Sequence, residues 1–146
     1  MKKEEILNDL LQINNDRIAG YEKAATQTSD KKLTSVFTDM SKQSREIATE
    51  LTQVIKAEGN EPAEGTSASG KIYRAWMDVR NAFNGENPKK LLAACEYGED
   101  KAQEAYKTAL GDDSLSGTLK SLVKNQKDTL KESHDKIKHL RDTQPA

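Results

Sequence analysis

The side chains that could carry chemistry in this sequence are a few acidic residues and one histidine at helical spacing. Glu96 and Glu99 are three residues apart, so one helix would present both carboxylates on the same face. His134 lies in the segment KESHDKIKHLRD, between Leu130 and Ile137 on the apolar stripe of its helix. Carboxylates together with imidazole are ligands for iron and other divalent transition metals. The predicted metal set is Glu50, Glu96, Glu99 and His134.

His134 and the carboxylates also have interpretations that need no metal. The histidine ring could lie at the edge of the core and hydrogen-bond to Glu96, Glu99 or Glu50, or it could face solvent. Glu99 could instead be partnered by Gln126 or a buried water, and Glu50 by a residue of the first helix. The other histidine, His139, falls on a different side of the same helix, so the two cannot face one site.

Three amides extend the polar set on the predicted inner faces. Counted outward from the turns between helices, Asn14, Gln43 and Gln126 fall near the level of Glu99, because each residue adds about 1.5 Å of helix. A buried polar group without a partner costs about 1–3 kcal/mol. The cluster must therefore pair internally, bind a ligand, or face water more than the pattern suggests.

Helices must position these residues, since apolar side chains recur at helical spacing almost throughout the chain. Two hairpins of long helices, joined by a crossover that carries a short helix, describe an all-α four-helix bundle. We expect one domain over residues 1–146, with a linker over 59–70. The predicted helices span about 3–26, 31–57, 71–84, 88–110 and 115–141.

Trp76 and Phe83 lie on the apolar face of the short crossover helix. We expect them to pack that helix on the bundle, and an exposed patch there would instead indicate a partner or dimer surface. The two hairpins also resemble each other weakly, since Asn14 to Tyr21 aligns with Glu99 to Tyr106.

The composition limits the classes of function. Only 34% of the residues are hydrophobic and 32% are charged, which suits packed amphipathic helices. A net charge of -1 gives no indication of a nucleic-acid or anionic-membrane partner. No apolar stretch approaches the ~18 residues of a membrane span. A single cysteine, Cys95, and an N-terminus without the features of a secretory signal predict a cytoplasmic protein.

Several stretches resemble a known superfamily and together cover nearly the whole chain: LNDLLQINNDRIAGYEKA, QSREIATEL, the segment around RAWMD, CEYGEDKAQEAY and SHDKIKHLRD. On these stretches the chain resembles ferritin-like four-helix bundles, and more closely an uncharacterised bacterial branch, a domain-of-unknown-function family. The resemblance implies the bundle fold. It implies no activity, because that branch has no established biochemistry.

Ferritin-like di-iron proteins carry a Glu on each of two helices and a Glu-x-x-His on each of the other two. Glu96 and Glu99 resemble the third-helix carboxylates and His134 the fourth-helix histidine. The residue three before His134 is Lys131, the first helix offers Asn14 or Asn15 in place of Glu, and the second helix has no histidine. The sequence therefore lacks a standard di-iron set.

Two functions follow as expectations. The first is a non-enzymatic bundle with a degenerate di-iron site, acting as a binding or stress-associated protein without a cofactor and open to homodimer formation. The second is a bundle that binds iron or another divalent metal at an altered Glu/His site, with redox or iron-handling activity. The protein partner is not indicated by the sequence.

Overall fold

A computed structural model describes residues 2–65, 70–81 and 87–144 of the chain, and in these ranges the chain is all-helical, with no strand. The five helices agree with the predicted elements to within a few residues at their ends. They are α1 (Lys3–Gln27), α2 (Lys31–Ala57), α3 (Gly70–Asn81), α4 (Pro88–Leu110) and α5 (Gly117–Asp142).

Local sequence accounts for where the helices begin and end. Asp30 caps α2, because its Oδ1 accepts hydrogen bonds from the backbone N–H groups of Lys32 (2.9 Å) and Leu33 (3.2 Å). Asn87 caps α4 in the same way, with Pro88 in the first turn. After α2, Gly59 takes a φ of 81°, a left-handed conformation that glycine adopts readily at the end of a helix.

The long helices pack as two antiparallel hairpins, α1 with α2 and α4 with α5. Across the hairpins, α2 and α5 are antiparallel, because Gln43 meets Ser133 while the later Glu50 meets the earlier Gln126. Within the described residues, none of the helices combines the length and apolar character that crossing a bilayer requires.

Helix α3 lies across α1 and α4. Its Trp76 is only 1% exposed. The indole packs edge to face against Tyr21, with 5.2 Å between the ring centroids. The backbone can approach the indole because Gly20 and Gly98 have no side chain there: a Cβ on either would lie 2.8 Å from a ring carbon. The expected packing of Trp76 on the bundle is confirmed, whereas Phe83 and residues 82–84 of the predicted helix lie outside the described residues.

The apolar core is divided into two clusters, one at each end of the bundle. One contains Leu10, Leu51 and Tyr106, and the other contains Phe37 and Trp76. Between them lies a layer of buried polar side chains contributed by all four long helices. The members of this polar layer are Asn14, Arg17, Ser41, Ser44, Glu96, Glu99, Gln126 and Ser133.

One position on the inward face of α5 differs from the predicted stripe. The residue buried between Leu130 and Ile137 is Ser133, 3% exposed, and not His134, whose side chain is 18% exposed. Leu130 and Ile137 are seven residues apart, and same-face neighbours on a helix are three or four residues apart, so either residue 133 or residue 134 could lie between them on the inward face. Packing against α2, where Ser133 donates to Gln43 (2.7 Å), places the serine inside.

Candidate functional site

The centre of the polar layer is an ion pair between α1 and α4. Arg17 and Glu99 have no exposed side-chain surface, and the guanidinium holds both carboxylate oxygens, Nε to Oε1 at 2.8 Å and Nη2 to Oε2 at 2.6 Å. Tyr21 donates its hydroxyl to the same Oε2 at 2.8 Å. Both oxygens of Glu99 are therefore already bonded inside the protein, in the two-pronged geometry that suits guanidinium and carboxylate.

Arg17 makes further contacts that fix its position. Its Nη1 donates to Ser44 Oγ, its Nη2 lies 4.0 Å from Met40 Sδ, and its guanidinium lies 5.2 Å from the centre of the Tyr21 ring. Burial disfavours the charged guanidinium, but the charges and hydrogen bonds of Glu99 and Tyr21 together outweigh burial, so the pKa of Arg17 is raised. The centre of the bundle thus holds one permanent positive charge and one matching negative charge.

A chain of hydrogen bonds leads from this ion pair to the opposite face of the bundle. Ser44 Oγ donates to Asn14 Oδ1 (2.9 Å), and Asn14 Nδ2 donates to the hydroxyl of Tyr106 (3.0 Å). That hydroxyl donates to Gln126 Oε1 (2.9 Å), and Gln126 Nε2 donates to Oε1 of the exposed Glu50 (3.2 Å). Each hydroxyl or amide in the chain donates to the next member, and Glu50 accepts at the end, so the buried members satisfy one another.

Burial and the Glu99 charge also act on neighbouring groups. Burial raises the pKa of the Cys95 thiol well above its ordinary value, and the negative charge of Glu99 raises it further. The same two causes, in the same order, raise the pKa of Tyr21. Both groups therefore stay protonated and neutral, and Cys95 lies within the apolar core as a small hydrophobic side chain.

A second group of polar residues lies at the outer seam between α4 and α5. His134 Nε2 is 2.6 Å from Asp100 Oδ1 and 3.8 Å from Glu96 Oε2, while His134 Nδ1 is 3.0 Å from Asp135 Oδ1. Arg141 donates to the other oxygen of Glu96. One ligand atom from each of three residues lies within 4.8 Å of the other two, and these residues form what we call the seam cluster: Glu96, Asp100 and His134.

Charge decides the protonation of this histidine. Partial burial lowers the pKa of His134, but the hydrogen bond to Asp135 and the charge of Asp100 outweigh burial, so the pKa is raised. Without a bound metal, His134 is a pH-responsive group beside carboxylates. Of the partners expected, Glu96 is near its ring, and Glu99 and Glu50 bond elsewhere.

The predicted metal set is thus divided between separate places. Glu96 and His134 come together in the seam cluster, Glu99 is held by Arg17, and Glu50 is bonded to Gln126. The predicted polar core is assembled more nearly as expected, with Asn14 and Gln126 buried in one chain of hydrogen bonds and Gln43 half-buried against Ser133.

Two functional residues were missed from the sequence, although each had a signal. Arg17 lies three residues after Asn14 and four before Tyr21, so it occupies the same inward face. Asp100 lies four residues after Glu96 on one face of α4. A charged residue on an apolar stripe, and a second carboxylate one turn from the first, were the patterns that could have revealed them.

The raised pKa of His134 predicts a pH-dependent contribution to stability. The interactions with Asp100 and Asp135 are fully present below the unfolded-state pKa of about 6.5 and are lost as pH rises through the higher folded-state pKa. In chelator-treated protein, His134→Gln should cost about 0.5–1 kcal/mol of unfolding free energy at about pH 5.5, because the partners are half-exposed, and less at about pH 9. Urea unfolding at both pH values measures this difference, with His139→Gln on the exposed side of α5 as the control. An equal cost at both pH values would contradict the assignment.

The fold and this site together define an all-α bundle with an ion pair at its centre and a histidine–carboxylate cluster at one seam. Residues 2–112 of the 146-residue chain match the family described as a domain of unknown function, DUF2383, and the chain belongs to that family. A search of curated proteins gave no match.

Proposed function

We propose that the protein is a ferritin-like four-helix bundle that has no dinuclear metal chemistry and acts as a non-enzymatic binding protein. The observation that carries this proposal is the buried contact of Arg17 with both oxygens of Glu99. The ion pair lies in the polar layer at mid-bundle, the level at which ferritin-like di-iron proteins carry their inward carboxylates.

The charges in the polar layer argue against two metal ions at this level. A di-iron centre relies on four carboxylates and two histidines projecting inward. Here Glu99 is fully buried and neutralised by Arg17, whereas Glu96 faces Arg141 at the seam. A guanidinium remains protonated under any ordinary condition, so its fixed charge would repel a divalent ion placed beside Glu99.

The order of the helices supports the ferritin-like assignment. Two antiparallel hairpins are joined by a crossover long enough to run the length of the bundle, which is the connection found in ferritin-like folds. The weak internal alignment of the two hairpins also relates the two tyrosine contacts between α1 and α4 to each other, because it pairs Tyr21 with Tyr106 and Asn14 with Glu99. Tyr21 bonds Glu99, and its counterpart Tyr106 bonds Asn14, the counterpart of Glu99.

The surface available for binding is polar. Among the described residues, Tyr97, 50% exposed, is the one large hydrophobic side chain that is exposed, so partner recognition would rest on hydrogen bonds and charge. The chain of hydrogen bonds reaches solvent in a cleft of about 300 Å³ between α2 and α5, which Gln43, Glu46 and Glu50 help to line. A homodimer, a stress-associated role and a cytoplasmic location remain predictions from the sequence.

The proposal is tested by adding Fe²⁺ in air to tag-free protein and following iron oxidation by near-ultraviolet absorbance. We expect the rate to equal that in buffer alone and to be the same for wild type, Glu99→Gln and the surface variant Glu50→Gln. Circular dichroism checks that Glu99→Gln folds, and Glu50→Gln serves as the second variant because its side chain is exposed. Rapid oxidation of about two irons per chain that either variant abolishes would overturn the proposal.

A further inference from the structure

The seam cluster brings one imidazole nitrogen and two carboxylates to one place on the surface, where α4 and α5 meet. Asp100 comes from one turn after Glu96 on α4, and His134 comes from α5, so the cluster links the two helices of the second hairpin. Glu96 is buried, His134 is partly buried and Asp100 is exposed, which leaves the cluster open to solvent on one side.

The histidine is oriented from behind by another carboxylate. Asp135 Oδ1 lies 3.0 Å from His134 Nδ1, and Lys131 Nζ in turn holds Asp135 at 3.1 Å. A carboxylate on one ring nitrogen keeps the proton there and directs the lone pair of the other nitrogen outward, as in histidines that bind metals. In the neutral ring with its proton on Nδ1, Nε2 presents its lone pair to Asp100 and Glu96, whose facing atoms are also acceptors.

Acceptor atoms that converge in this way repel one another unless a positive species lies among them. A second proton on the imidazole is one such species, and a metal cation is another. The surrounding side chains leave an excess of negative charge for either species to offset, because three carboxylates (Glu96, Asp100 and Asp135) outnumber the two cationic side chains nearby (Arg141 and Lys131). Arg141 donates to Glu96 Oε1, so Oε2, the oxygen that faces His134, remains available.

We propose that the seam cluster binds one divalent transition-metal ion of borderline softness, of the zinc class, through His134 Nε2, Asp100 and Glu96 Oε2, with water completing the coordination. One nitrogen and two carboxylate oxygens are a ligand set that such ions accept, and three protein ligands leave a position open. Ligand atoms on one such ion lie about 3 Å apart, so Asp100 must move outward from its 2.6 Å contact with Nε2. Its side chain is 52% exposed and can make that adjustment.

This site is separate from the ion-paired centre of the bundle. Glu99 bonds Arg17 and Tyr21, and Glu50 bonds Gln126, so neither contributes to the seam cluster. A redox-silent ion at the seam is compatible with an inert centre. Rapid iron oxidation would contradict the proposed function but not the seam site. Absence of zinc binding would contradict the seam site but not the proposed function.

The experiment is a calorimetric titration of chelator-stripped, tag-free protein with Zn²⁺ at about pH 8, well above the ordinary histidine pKa of about 6.5. Wild type and His139→Gln should each bind one ion with equal affinity, because His139 is exposed elsewhere on α5. Asp135→Asn, which removes the orienting carboxylate, should weaken binding about 10-fold, and His134→Gln and Asp100→Asn should weaken it by about 100-fold or more.

Circular dichroism checks that each variant folds, which is expected because the substituted side chains are exposed or only partly buried. Zinc binding absent from wild type would overturn the proposal and assign the cluster to a protonated histidine. Binding that persists unchanged in His134→Gln and Asp100→Asn would overturn it as well, by placing the ion elsewhere.

Discussion

Replacing Arg17 with methionine is expected to lower the free energy of unfolding by about 3–5 kcal/mol, the usual cost of removing one partner of a buried ion pair. The change leaves the Glu99 carboxylate without its two guanidinium hydrogen bonds, in a site with no exposed side-chain surface. It also removes the donor to Ser44. Urea unfolding followed by circular dichroism measures the loss.

The double variant Arg17→Met, Glu99→Gln should recover more than half of that loss. It removes the buried charge, and the new amide oxygen still accepts from Tyr21. Arg45→Met is the matched control, because Arg45 pairs with Glu22 at the surface and both side chains are about half exposed. It should cost less than about 1 kcal/mol. If Arg17→Met lowered the free energy of unfolding no more than Arg45→Met, the buried ion pair would not be what stabilises the polar layer.

The second large effect is expected at Trp76. Trp76→Ala should lower the free energy of unfolding by about 3–5 kcal/mol, because it leaves a cavity where α3 packs on α1 and α4. Chemical denaturation followed by circular dichroism is the suitable measurement, since this variant removes the single tryptophan and its fluorescence.

Gly98→Ala provides a sharper version of this test. Alanine normally stabilises a helix interior by about 0.5–1 kcal/mol relative to glycine. Here the added Cβ would lie 2.8 Å from two carbons of the Trp76 ring, and the overpacking should cost about 1–3 kcal/mol. Combined with Trp76→Ala, the same substitution should become neutral or stabilising.

Gly111→Ala, at the residue that follows the last turn of α4, is a control at a glycine that does not contact the indole. At Gly111 the atoms nearest to an added Cβ would be ordinary contacts at 3.5 and 3.7 Å, and its φ of -82° suits any residue. We expect a change within about 0.5 kcal/mol. A destabilisation by Gly98→Ala that persisted in the Trp76→Ala background would show that the indole is not what excludes a side chain at this position.

Local signals in the amino-acid sequence were sufficient to predict the helices and the level of the polar residues. Helical spacing and turn residues such as Asp30 and Gly59 act within a few positions of themselves, so element bounds could be predicted without knowing the packing. Counting residues from the turns also worked for Asn14 and Gln126, because rise along an α-helix is constant and places residues at a common height.

Which polar side chains meet depended on tertiary packing. Between Leu130 and Ile137, spacings of three and of four residues both suit an inward position, and packing placed Ser133 inside and His134 at the seam. Glu99 pairs with Arg17, which is far away in sequence and lies on another helix. His134 pairs with Asp100 on the surface of the neighbouring helix. The level of a residue along the bundle follows from the rise of its own helix. Which side chains touch depends on the orientation of several helices relative to one another, and only tertiary packing determines that orientation.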